Sequence, residues 1–180
     1  MLKQKQAGYT MMEVLVAISI SLGGVTMSVM GGHKAADVNG ANTIINQVQS
    51  IHGMAKETYY PLHDNTYAGL DTNTAIAQDI VPKNLLQSQG GPLMGLVNAY
   101  GGAVTIYPLQ PMNKTLVVTN DNLPVAVCVK TAAIAVRMGA QVAIKGGGKI
   151  IWYDQKTLNW PNKIKKDCDV STANLLAIRM

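Results

Sequence analysis

The side chains whose types and spacing could do chemistry are few. Glu13 is the sole carboxylate in a long uncharged stretch: between Tyr9 and Gly32 the only ionisable side chains are Tyr9 and Glu13. A carboxylate beside so much apolar surface is costly unless it is paired or held at an interface. Cys128 and Cys168 stand 40 positions apart and could form a disulfide or remain two buried thiols. His33, His52 and His63 have no Cys or carboxylate at metal-ligand spacing, which argues against zinc. Lys145-Gly146-Gly147-Gly148-Lys149 lacks the GxxxxGK[ST] spacing of a phosphate loop and reads as a hairpin turn. There is no GxSxG frame, so no catalytic residue, metal or cofactor is expected.

The elements that must carry these residues begin with a membrane-length block. The uncharged run Val14 to Gly32 has 19 residues. As a helix it would cover roughly 28 Å, close to the hydrocarbon thickness of a bilayer. Gly23-Gly24 and Gly31-Gly32 put paired breakers into it, which would make local melting cheap or allow close helix packing. Beyond it, Val38, Ala41, Ile44, Ile45, Val48, Ile51 and Ala55 recur at helical spacing, so the helix is expected to continue to Thr58 and to stop at Tyr59-Tyr60-Pro61. That continuity, with no small-residue cleavage site behind the apolar run, argues against a cleaved secretory signal.

The hexapeptide Gly8-Tyr9-Thr10-Met11-Met12-Glu13, behind a short leader carrying Lys3 and Lys5, resembles the processing site of type IV prepilins. The resemblance implies cleavage by prepilin peptidase between Gly8 and Tyr9, N-terminal methylation of Tyr9, and an assembly role for Glu13. It also implies insertion in the inner membrane, then polymerisation by the inner-membrane assembly machinery into an extracellular filament of identical subunits. A looser likeness spans Tyr67-Ala68-Gly69-Leu70, Val81-Pro82 and Leu96-Val97-Asn98-Ala99-Tyr100-Gly101-Gly102, which resembles the connecting loop and first strand of type IVb pilins, particularly those of conjugative-plasmid thin pili. Conjugative mating or adhesion is the role this implies. An eight-residue leader and an aromatic Tyr9 are closer to type IVa habit. The alternative is a pseudopilin or minor pilin of a secretion or pilus system; the Cys pair and the lack of an evident calcium site near the C-terminus argue for the pilus. For an exported head, a Cys128–Cys168 disulfide is the expected state.

The resemblance divides the chain into a leader, 1–8; a membrane and filament-core helix, 9–32, whose flexibility would rest on Gly23, Gly24, Gly31 and Gly32; its amphipathic continuation, 33–58; and a globular head, 59–180. In the head, Ile76 to Ile80 and Asn84 to Leu86 are expected as short helices. β-prone runs follow at 103–107, 115–119, 141–145, 149–153 and 175–179. Between them Pro124 to Met138 is expected to be a helix capped by Asn122. The fold class is α+β, one long helix packed on an antiparallel sheet. Trp152, Tyr153, Trp160, Lys163, Lys165 and Lys166 could form a basic aromatic patch, although an exposed hairpin and loop explains them as well. The formal charge of +5 comes from scattered residues, which argues against nucleic acid as a partner.

Overall fold

The computed structural model of the chain describes residues 36–88, 94–146, 149–168 and 174–179. Gly8, Tyr9, Glu13, Gly23, Gly24, Gly31 and Gly32, with the whole 9–32 segment, lie outside them. The described residues fall almost entirely in one unit, Asp37–Met180. Helix α1 occupies 36–54. Ala41, Ile44, Ile45, Val48 and Ile51 form its buried stripe, as the 3.6-residue period requires, while Val38 at its start is 44% exposed and takes no part. Burying side chains such as Ile44, Val48 and Ile51 contributes about 1.5–3 kcal/mol each.

Winding does not stop at Thr58. It widens into a π-turn, Ala55–Tyr59, and tightens into a 3₁₀ turn, Tyr60–Leu62. Tyr59 is the reason: its ring is buried, its hydroxyl donates to the Ala68 carbonyl at 2.7 Å, and His63 stacks on it with ring centroids 3.7 Å apart. Tertiary contacts thus carry the winding four residues beyond the expected end at Thr58, to Leu62.

The five expected strands are all present: β3 Val104–Pro108, β4 Leu116–Leu123, β5 Gln141–Gly146, β6 Lys149–Tyr153 and β7 Asn174–Arg179. They form an antiparallel sheet in the order β3-β4-β7-β5-β6, so the last strand of the chain lies at its centre. One face, with Val104, Ile106, Leu116, Val118, Val142, Ile144, Leu176 and Ile178, shares a continuous core with the stripe of α1. The other face carries a small cluster of Val117, Ala143 and Ala177 beneath Leu109 and Trp152. An earlier two-stranded hairpin, β1 Leu86–Ser88 with β2 Met94–Leu96, was not expected; three-residue strands leave too short a pattern to read.

Three helices complete the described part of the head. Helix α2, Thr72–Ala77, starts before the expected Ile76 because Asp71 caps it, its Oδ1 accepting from the Thr74 amide at 2.7 Å. A 3₁₀ turn, Lys83–Leu85, stands beside the expected Asn84 to Leu86. Helix α3, Val125–Arg137, begins after Pro124 as expected, but Asn122 does not cap it. Asn122 has φ of 56°, and its amide donates instead to the Tyr100 carbonyl at 3.1 Å. Helix α4, Trp160–Asp167, replaces the expected loop; Pro161 in its first turn was the available signal.

Asn98 joins these parts. It is 2% exposed, and its Oδ1 accepts from the amides of Tyr100 at 2.9 Å and Gly102 at 3.1 Å, while its Nδ2 donates to the Asp121 carbonyl at 2.8 Å. The turn it holds presses Tyr100 against α1, where a Cβ on Gly40 would stand 1.8 Å from the Tyr100 hydroxyl. A Cβ on Gly102 would lie 1.9 Å from the backbone oxygen of Asp121, which cannot yield as a side chain can. Asn98→Ala, which orphans several buried groups, is expected to cost about 3 kcal/mol. Gly102→Ala should lower the urea midpoint of the purified chain as well, whereas Ala99→Ser at the exposed turn should leave it unchanged.

Candidate functional site

Between Cys128 and Cys168 run most of α3, then β5, β6 and α4. Cys128 is on the buried face of α3 with Val127, Thr131, Ala132, Ala135 and Val136, and Cys168 ends α4. Both are fully buried and joined, S–S 2.10 Å, with their Cα atoms 5.9 Å apart. The same corner is tied by the Tyr153 hydroxyl, which donates to the Asp167 carboxylate. Burial, and then that carboxylate, push the Tyr153 phenol well above its ordinary range, so it remains a donor throughout the physiological range. A Lys130–Asp37 ion pair at 3.2 Å links α3 to the start of α1, with both side chains about one-third exposed, where such pairs contribute little.

The basic aromatic patch is split: Trp160, Lys163, Lys165 and Lys166 share α4, and Tyr153 reaches Asp167 of that helix, while Trp152 lies on the opposite face of the sheet. Trp152 packs on the outer face of the sheet, with the Arg179 guanidinium 4.4 Å from its ring centroid. Trp160 packs against the main core on the other side. Of the histidines, His33 lies outside the described residues; His63 donates through Nδ1 to the Tyr59 carbonyl at 2.9 Å. Among the described residues no three His, Cys, Asp or Glu side chains converge to hold a metal. Nor is any helix among them long and apolar enough to cross a membrane.

A second feature had no signal in the sequence beyond a glycine inside a helical pattern. Where α1 gives way to the π-turn, His52, Gly53, Lys56 and Tyr60 face Tyr67 and Lys114 across a cleft of about 350 Å³. Tyr67 is brought there by its own amide, which donates to the Asn113 carbonyl at 2.7 Å and so ties the loop before α2 to the β3–β4 loop. Its ring lies 4.9 Å from that of Tyr60, tilted by 47°. His52 is 8% exposed, and its Nε2 has no hydrogen-bond partner among the described residues. At Gly53 a Cβ would meet nothing within 4 Å. A glycine there costs the helix about 1 kcal/mol relative to alanine, with no steric need for it within the fold.

The model of the family described as PilS N terminal matches residues 33–179. No curated protein sequence matches the chain. Among solved structures it is similar to the crystal structure of type IV b pilin from Salmonella typhi, with 16% identity and a TM-score of 0.49 over 74% of this chain and 96% of that one.

Two outcomes follow from the geometry. Replacing Cys128 and Cys168 by alanine frees a loop of 40 residues in the unfolded chain. The chain-entropy model puts the expected loss at about 4 kcal/mol, read as a fall in the denaturation midpoint of the non-reduced protein. Burial lowers the His52 pKa from 6.5 to about 4, so between those values the unfolded chain takes up a proton that the native one refuses. Native stability therefore falls as pH drops through this window, by up to about 3 kcal/mol. His52→Leu should flatten that limb of the stability–pH curve; an unchanged curve would place the acid sensitivity elsewhere.

Proposed function

The chain belongs to the PilS N-terminal family of type IV pilins, and from that premise we propose that it is a major pilin of type IVb class, processed between Gly8 and Tyr9 and polymerised through its N-terminal helix. The observation that carries this is the family match over residues 33–179, with the leader motif standing upstream of it. A pilin is a structural subunit whose work is to assemble into a pilus filament outside the cell. Before assembly the 9–32 segment would hold the chain in the inner membrane, since it is uncharged apart from Glu13 and long enough to span.

Cleavage after Gly8 would leave a cationic amine on Tyr9. In a filament core built from apolar helices, that amine of one subunit and the Glu13 carboxylate of its neighbour neutralise each other. A buried charge is tolerable with a partner, and removing one partner costs about 3–5 kcal/mol. Assembly thereby depends on processing by prepilin peptidase, and the pairing sets the register between subunits. The disulfide-tied corner of the head supplies a rigid surface for contacts outside the core. Conjugative mating or adhesion is the role proposed for the filament.

Intact-mass analysis and terminal sequencing of protein sheared from cells tests this. The expected product is abundant filament beginning at methylated Tyr9, absent in Gly8→Ala. Glu13→Gln should still be cleaved but should accumulate in the membrane unassembled. A chain that starts at Met1 or Leu2 in wild type and Gly8→Ala alike would end the proposal.

A further inference from the structure

We propose that the cleft between the end of α1 and the β3–β4 loop binds a small ligand carrying a carboxylate on a sugar ring, an acidic monosaccharide. The site is independent of the filament reading, since all its residues lie in the head and its adjoining helix.

Five observations converge on it. The volume, about 350 Å³, is at the lower end of the range of ligand pockets and suits one ring. Among the described residues its charged lining is wholly cationic: Lys56 and Lys114 come from segments far apart in sequence, and no Asp or Glu lines it. His52 lines the cleft and is more than nine-tenths buried, so its ring closes the wall there. Gly53 keeps the wall open where any other residue would project a side chain into free space. The π-turn that begins at Ala55 carries Lys56 and leads into Tyr60; such turns are frequent at functional sites.

The chemistry of the lining selects the ligand class. Lysines are point charges that accept any anion. The inclined rings of Tyr60 and Tyr67 offer apolar faces that a bare phosphate would leave unused, and a sugar ring has a C–H face to lay against them.

The test is ligand-observed saturation-transfer NMR with the full chain in detergent micelles, titrating D-glucuronate and D-glucose separately and adding inorganic phosphate as a competitor of the glucuronate signal. Saturable binding of glucuronate is expected, with glucose weaker by about tenfold, the worth of one charge-assisted contact, and phosphate a weaker competitor because it leaves the tyrosine rings unused. Lys56→Gln combined with Lys114→Gln should weaken glucuronate by at least that factor. Gly53→Leu, which keeps the charge and fills the space, should abolish binding. Should Gly53→Leu fail to fold by circular dichroism, the lysine double variant decides alone, since both lysines are exposed. Glucuronate binding that is absent in wild type, unchanged in the lysine variant, or matched by glucose or phosphate would overturn the proposal.

Discussion

A helix with one apolar stripe cannot be left with that stripe in water, and the head is the means by which α1 hides it. Ile44, Val48 and Ile51 share one core with Ile106, Val118, Ile144, Leu176 and Ile178, so the helix and four strands of the sheet are held by the same displacement of water. The strand order serves this. With the C-terminal strand β7 between β4 and β5, the two hairpins of the sheet, β3–β4 and β5–β6, become one surface only when the end of the chain arrives.

Non-directional burial does not by itself choose one arrangement, and directional ties do so at both ends of the sheet. Asn98 has each of its amide groups engaged, and it places Tyr100 where α1 can accept it only because residue 40 has no side chain. On the opposite side the Cys128–Cys168 bond and the Tyr153–Asp167 hydrogen bond lock α3, β6 and α4 together. Covalent closure of the corner around the edge strand β6 keeps this part of the head from opening locally. The cleft by His52 stands apart from both ties. Among the described residues His52 Nε2 has no partner there, as is true also of Asn113 Oδ1 and Thr131 Oγ1, and the helix position at Gly53 is unfilled.

Much of the architecture was legible in the chain. The five strands of the main sheet were read within a few residues because each alternates or is β-branched between clear turn residues, and α3 was readable from Pro124 and its alanines. The β1–β2 hairpin and α4 were not, since strands of three residues and a lysine-rich helix of eight have patterns too short or too polar to stand out. Asn122 shows the limit of local rules: a good cap residue by type, it is drawn into a positive φ and a bond with Tyr100, and the helix starts without it.

The sequence by itself determined what depends on neighbouring residues: the Gly8-Tyr9 pair with Glu13 four positions on, the uncharged run after it and the helical stripe at 41–55. These are local, because each is a matter of residue type and spacing along the chain. What only the tertiary structure decided is everything that joins distant positions: the placement of β7 at the centre of the sheet, the separation of Trp152 from Trp160 onto opposite faces, and the cleft that brings Lys114 to Lys56 and His52. No periodicity encodes such meetings, because they follow from how the buried faces of α1 and the sheet satisfy one another in three dimensions.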